Sequence, residues 1–363
     1  MVSNSVNQYK PDFVTPPGES LQDTIDALGM TQTELAQRIG RHKKTVNEII
    51  KGKQKITPET ALQLEKALGV PASFWNNRQK RYDEYLARVA EVKSLEEQKG
   101  WLKNFPLKEM RRHRYIDSSN DPVETINMIL SLLGVASPDA FNSRLEKMSV
   151  QYRKSSAFKV NEYALAAWLS KGREYAREVV CDQFDKACFE ERLIDIRKLT
   201  TESPDIFVPE MREICSECGV KFVLVPELPK MPVYGATYWI NDNPIIQLNI
   251  RGKKDDIFWF TFFHEAAHVL LHGRKTVIYL DVKSSEGEEE YQANNFAAEF
   301  LIPRVDLDRF VFSEEHLSNN SIRAFAARLG VSPGIVVGQM HHFKYAPYTH
   351  FQKLKRTFEW ADN

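Results

Sequence analysis

Phe262-Phe263-His264-Glu265-Ala266-Ala267-His268-Val269-Leu270-Leu271-His272-Gly273 is the stretch on which the reading of this chain turns. Its apolar residues recur at helical spacing, two alanines sit in mid-segment, and a glycine is placed to end it, which predicts a helix. His264 and His268 are four apart and project from one face, one turn above the other. Glu265 stands beside the first. This is H-E-x-x-H, in which two imidazoles take a zinc ion and the carboxylate handles the proton of a water that the metal activates. The plainer reading is two polar residues with partners in a core. Against it stands the apolar character of the helix, which buries imidazoles that then need partners. Three of the chain's nine histidines also fall in this one segment.

A third ligand is required, leaving one position open. The histidine that a metzincin places six residues after the second motif histidine is absent, since position 274 is arginine. The next acidic stretch runs from Glu288 to a stop before Pro303 and reads as a helix from Glu290 onward. Glu290, Asn294 and Ala297 share a face, with Ala293 beside them, and small alanines let this helix lie close to the first. Glu299 points the other way. Glu290 is therefore the candidate ligand and Asn294 the residue that steadies an imidazole behind it. Glu289 is the runner-up. Glu286, Glu288 and Glu289 otherwise read as a solvated acidic run.

At 363 residues the chain has room for two or three domains. With 49 basic and 49 acidic side chains, whole-chain charge points to no partner, but its distribution does. No apolar run reaches membrane-spanning length and the first residues lack a signal-peptide layout, so a cytoplasmic protein is expected. Cys215 and Cys218 form a C-x-x-C without a second pair, and Cys181 and Cys188 are seven apart, which favours buried free thiols.

Residues 1–16 read as a disordered lead-in. Between 17 and 77 short helices follow one another, with Thr31 and Glu34 set for a capping box, Gly40 closing that helix, and Thr57-Pro58 opening another that ends at Gly69. Helix, tight turn, helix is the geometry that lays a second helix in the major groove. Residues 38 to 55 carry Arg38, Arg41, Lys43, Lys44, Lys51, Lys53 and Lys55 against Glu48 alone. Thr45 and Asn47 add groups able to reach bases or phosphates. A basic solvated face on a plain helical bundle is the alternative. The segment resembles the Cro/C1-type (XRE) helix-turn-helix family in its HigA-like antitoxin form, through Thr31-Gln32, Glu34-Leu35-Ala36, Ile39-Gly40, Thr45-Val46, Ile49, Lys51-Gly52-Lys53 and Leu64-Leu68-Gly69-Val70. The resemblance implies that Gln32, Lys43, Lys44, Thr45 and Asn47 approach DNA; Arg41 and Lys51 join them from the basic cluster. His42 departs from the small hydroxyl residue usual at the start of the second helix.

Residues 78–203 read as a helical spacer without a site. In residues 204–312 three strand signals precede the motif helix: Val220–Pro226, Gly235–Ile240 and Pro244–Ile250, the last two separated by Asn241-Asp242-Asn243. Ile246, Leu248 and Ile250 alternate with Gln247 and Asn249, so one face is expected to be buried and the other wetter. An exposed strand edge could hold an extended peptide above the metal. Residues 313–363 read as a helical extension. The fold class expected is thus multidomain and mainly α, with an α+β zincin-like domain.

Gly235-Ala236-Thr237, Ile246-Gln247-Leu248, Asp256 through Glu265, and Glu290 through Pro303 resemble the ImmA/IrrE-type metallopeptidase family, as do Ser321-Ile322, Phe325-Ala326 and Ser332 through Gly338. The resemblance implies zinc on His264, His268 and Glu290, and cleavage of XRE-type repressors in phage, mobile-element and stress circuits. Many members carry a glutamate where this chain has Gln292, which is expected to face away from the metal. The function expected is a DNA-binding regulator whose zinc endopeptidase domain, with Glu265 as general base, cuts a repressor-type partner or the chain itself. The alternative is a HigA-like antitoxin repressor whose zinc domain senses or scaffolds. Partners on these readings are operator DNA, a repressor substrate, a toxin and a second copy of the chain. An oxyanion donor is sought among Tyr238, His272 and His341; for His272 a helix-end imidazole is the better reading.

Overall fold

The computed structural model describes residues 13–152, 161–274, 279–282, 287–313 and 317–361, with 146–152 and 279–282 described in backbone only. Two compact units divide the chain at Lys99/Gly100. Most of the lead-in (residues 1–12) and Glu286 lie outside the described residues.

Among the described residues the first unit has five α-helices: α1 (Pro17–Ala27), α2 (Gln32–Arg38), α3 (Lys43–Ile50), α4 (Pro58–Leu68) and the long α5 (Ala72–Glu97). Leu21, Ile25, Leu35, Val46, Ile49, Leu64 and Trp75 meet in its core. The caps follow local chemistry. Thr57 accepts from Thr60 N–H at 3.2 Å at the start of α4, and Gly69 ends it at φ 73°, a left-handed turn that glycine takes without strain. Thr31 caps α2 by accepting from Glu34 N–H at 3.2 Å, but only half of the expected box forms: the Glu34 carboxylate accepts from Arg38 at 2.7 Å instead. His42 caps α3 by backbone alone, consistent with the missing hydroxyl.

The second unit opens with α6 (Leu107–Arg112), α7 (Pro122–Leu133), α8 (Pro138–Tyr152), α9 (Glu162–Glu178), α10 (Lys186–Lys198) and α11 (Pro204–Glu217). Then come β1 (Lys221–Leu224), β2 (Val233–Ile240), β3 (Asn243–Leu248), α12 (Asp255–Ala267), β4 (Tyr279–Val282), α13 (Glu288–Leu301), α14 (Arg304–Ser313), α15 (Asn319–Leu329) and α16 (Pro333–His342). The sheet runs in the order β1-β3-β2-β4, with β1 parallel to β3 and the other pairs antiparallel. The two-residue turn Asn241-Asp242, with Asn241 at φ 54°, joins β2 to β3 as a hairpin.

Three expectations are corrected here. The face of β3 that carries Gln247 is dry, and both Gln247 and Asn249, just past the strand, are buried. Helix α9 covers it so closely that a Cβ on Gly172 would stand 1.8 Å from Gln247 Oε1. Gln247 is satisfied there by accepting from the Tyr238 hydroxyl at 2.8 Å and donating to the Trp168 carbonyl at 2.8 Å. Residues in the stretch read as a spacer thus roof the sheet. Second, a fourth strand that the sequence does not signal, β4, adds to the sheet beside β2, so that among the described residues the sheet edges are β1 and β4. Third, Cys188 and Cys218 form a disulfide, because the start of α10 folds back on the end of α11. Cys215 is a fully buried free thiol, its pKa pushed up by burial, and Cys181 is half-buried.

Helix α12 runs through the middle of this unit. Phe262 and Phe263 are fully buried, each contributing about 1.5–3 kcal/mol. The fully buried Ala293 and Ala297 lie on α13, where they let it close on α12. The start of α12 is tied down by the C-terminal segment: the buried Asp255 accepts from the Ser332 hydroxyl at 2.6 Å and from Arg356 N–H at 3.1 Å. Arg197 on α10 donates to the carbonyls of Leu301 and Leu329, which gives it a structural duty.

Candidate metal centre

Helix α12 and the π-helical turn His268–His272 that continues it carry both motif imidazoles inward, at 1% and 0% side-chain exposure. Glu290, in the first turn of α13, reaches them from the facing helix. Its carboxylate oxygens lie 3.3 Å from His264 Nε2 and 3.5 Å from His268 Nε2, and the two Nε2 atoms are 3.1 Å apart. These three residues form a group that could hold a metal ion. Bonds of about 2.0–2.1 Å at tetrahedral angles require ligand atoms about 3.3 Å apart, so the spacing fits that donor set.

The hydrogen bonds behind the triad agree. Asn294 Oδ1 lies 3.0 Å from His264 Nδ1 and can only accept, so Nδ1 carries the proton and the Nε2 lone pair faces Glu290. His268 Nδ1 is 2.9 Å from His272 Nδ1, His272 Nε2 is 3.2 Å from Gln292 Oε1, and Gln292 Nε2 donates to Glu288 at 2.9 Å. A single direction of donation satisfies the line: His268 to His272, His272 to Gln292, Gln292 to Glu288. It leaves His268 Nε2 with a lone pair toward the carboxylate. Lone pairs converging on a carboxylate in a buried site repel unless a cation lies among them. Burial first, then His264 and His272, pushes the His268 pKa down to about 2.

Glu265 lies on the sheet side of α12 and is fully buried. The Thr237 hydroxyl on β2 donates to its Oε2 at 2.6 Å. A Cβ on Gly235 would stand 2.6 Å from Glu265 Oε1, so β2 approaches the carboxylate this closely only because that position is glycine.

Residues 215–340 match the IrrE N-terminal-like domain of peptidase family M78, and residues 21–75 match the helix-turn-helix family. The chain joins a helix-turn-helix domain to an M78 domain. An uncharacterised HTH-type transcriptional regulator of Haemophilus influenzae is 34% identical over 70 residues, 19% of this chain and 65% of its own length. The HTH-type regulator YddM of Escherichia coli is 30% identical over 63 residues, 17% of this chain and 67% of its own length. The chain thus spans about two thirds of these relatives. A HigA-family addiction module antidote from Coxiella burnetii is 33% identical, with 23% of this chain and 91% of that one covered and a TM-score of 0.22. Among the described residues no helix is long and apolar enough to cross a membrane.

In the M78 domain Thr237, Gly235 and His272 are what sequence reasoning missed. The first two stand in a stretch quoted for its resemblance without a role. His272 is not merely a helix-end imidazole, and Gln292, although not among the grouped ligands, completes the line behind His268. Of the other oxyanion candidates, Tyr238 turns to Gln247 on the opposite sheet face, and His341 Nε2 lies 2.9 Å from the His350 carbonyl. In the helix-turn-helix domain Lys43, Lys44 and Lys51 are exposed, Thr45 and Asn47 half-buried, and Asn47 donates to Gln32 Oε1 at 3.2 Å across the α2–α3 angle. Arg41 is bound to Gln63 at 3.0 Å and Glu59 at 2.9 Å, which braces α4.

The His268 shift carries a pH dependence in the M78 domain. The unfolded chain protonates this imidazole below its ordinary value of 6.5, whereas the folded chain does not until about 2. In chelator, stability is therefore expected to fall as pH drops below 6.5, by up to about 1.4 kcal/mol per pH unit from this residue. Urea unfolding between pH 7 and 5 measures it; His268→Asn should flatten the slope, and an unchanged slope would count against a neutral buried imidazole.

Proposed function

We propose that this chain is a DNA-binding transcriptional regulator that also cuts a repressor-type protein, a partner or its own N-terminal region, with zinc held by His264, His268 and Glu290. The observation that carries the reading is the convergence of those three side chains, with Glu265 one residue along the same helix and held by Thr237. When bound, zinc supplies Lewis acidity toward a peptide carbonyl and makes a water acidic enough to ionise near neutral pH. Thr237 fixes one oxygen of Glu265. The carboxylate then takes the water's proton and delivers it to the leaving amine nitrogen. Asn294 and His272 keep the two imidazoles in the tautomer that offers Nε2 inward. Incubating the purified protein with itself and with XRE-type repressors, with and without chelator, tests this: fragments absent with chelator and absent in Glu265→Gln support it. Intact protein under all conditions overturns it.

A second reading, a HigA-like antitoxin repressor with a non-proteolytic zinc domain that senses or scaffolds, is favoured by one observation. Among the described residues, His264, Glu265 and His268 are at most 1% exposed, and the third ligand candidate, Glu290, has 15% side-chain exposure. That reading admits a toxin partner.

On both readings α3 is the helix that enters the major groove, with Gln32, Arg41, Lys43, Lys44, Thr45, Asn47 and Lys51 as the contacting set, and a dimer would span half-sites about 34 Å apart. The domains we assign are 17–77 for DNA, with the rest of α5 in the same compact unit as far as Lys99, then the helical stretch to 203, 204–312 for the peptidase and 313–363 for its extension. Replacing Lys43 and Lys44 by glutamine should weaken binding to specific and non-specific DNA alike. The slope of log affinity against log salt should become shallower by about 0.9 per lost phosphate contact. Fluorescence anisotropy over a salt series reads this; an unchanged slope would remove these lysines from the interface.

A further inference from the structure

Away from the metal centre, the second unit holds a cavity of about 840 Å³ between α7, α9 and the turn after α6. It is lined by arginines: Arg114 from the turn, Arg144 from α8, and Arg173 and Arg177 from α9. None of the four makes an ion pair among the described residues, although the chain as a whole is charge-balanced. The other lining cation, the buried Lys171, is neutralised by Glu174 at 2.8 Å. Of the two remaining lining acids, Glu124 accepts from the Ser119 hydroxyl, and Asp117 makes no ion pair among the described residues. Arg173 is the best braced of the four, its guanidinium 5.4 Å from the centre of the Tyr238 ring.

We propose that this cavity binds a small molecule carrying several negative charges, of phosphoryl or polycarboxylate type. Four guanidinium groups from three segments line this cavity against two carboxylates, Asp117 and Glu124, that Lys171 does not take up, and the surplus of positive charge favours an anion between them. Each guanidinium offers a planar fork of donors that matches two oxygens of a phosphate or carboxylate. The volume is that of a site for a ligand of nucleotide size. On the faces of α2 and α5 the arginines are paired, Arg38 with Glu34 and Arg88 with Glu84, whereas among the described residues the four cavity arginines are not. Arg173 also sets the cavity against Tyr238 of β2, and the residue before it, Thr237, holds Glu265 from the other sheet face. The site does not depend on the peptidase reading.

Isothermal titration calorimetry of the full chain tests it, with inorganic pyrophosphate, ATP and citrate as separate titrants, adenosine as the uncharged control and octaglutamate as an acidic peptide. Saturable one-site binding by at least one small anion is expected with a Kd below about 1 mM. Pyrophosphate and ATP against citrate distinguish a phosphoryl from a carboxylate ligand. Arg144→Gln with Arg177→Gln, both exposed positions, should weaken it at least about tenfold while the thermal midpoint stays in place. Arg173→Lys, which keeps the charge and loses the fork, should weaken it as well. Heat that persists unchanged in these variants arises elsewhere, at the metal ligands or the DNA-binding lysines, and overturns the proposal. So does saturation by octaglutamate alone, or by nothing.

Discussion

Glu265→Gln is expected to lower the rate of peptide hydrolysis by about 10²- to 10⁴-fold and to leave the metal bound. The side chain sits fully buried beneath β2, and its Oε2 accepts from Thr237 at 2.6 Å. Glutamine has nearly the same shape, and its carbonyl oxygen can still accept from that hydroxyl. What it lacks is a basic oxygen for the water's proton. The loss should therefore fall on kcat, with KM, the thermal midpoint and zinc content close to those of the parent. Thr237→Val separates positioning from proton transfer: it removes only the donor to Oε2, so it should cost less than Glu265→Gln and shift the pH–rate profile. A Glu265→Gln protein that cuts as fast as the parent would remove this residue from the chemistry.

The second large effect concerns the metal itself and is graded. His264→Ala, His268→Ala or Glu290→Ala each deletes one of three donors that lie 3.1 to 3.5 Å apart, and high-affinity zinc or cobalt binding should be lost. One step back from the ion the loss should be partial. Asn294→Ala and His272→Ala remove the groups 3.0 Å and 2.9 Å behind the two imidazoles, and affinity should fall about 10- to 100-fold. Cobalt absorption adds a readout that mere destabilisation does not mimic, because a freed imidazole changes coordination geometry and hence the visible band. His272→Asn, which can keep an acceptor toward His268 Nδ1, should recover part of the loss. Equal affinity in His272→Ala and the parent would make that contact incidental.

The motif helix, its two imidazoles, the carboxylate on the next helix and the asparagine behind were all legible in the chain, because each rests on helical spacing. Residues four apart share a face wherever the helix is placed, and alanines on one helix announce a close neighbour. The helix-turn-helix was legible for the same reason, with Gly69 and Thr57 marking its ends. What was misread involves partners distant in sequence. Gln247 alternates with apolar neighbours and so read as wet; only the approach of Gly172, with no Cβ to hold α9 away, makes it a buried link to Trp168. Strand β4 gave no signal, since four residues carry too little pattern to separate from a loop.

Local sequence therefore determined which side chains point together along each helix and where each helix starts and stops. The tertiary structure decided what faces them: Thr237 on Glu265, His272 on His268, four arginines around one cavity, and Cys188 rather than Cys215 as the partner of Cys218. The physical reason is range. Backbone hydrogen bonding repeats every few residues and leaves its period in the sequence, whereas packing brings together residues whose separation along the chain obeys no period.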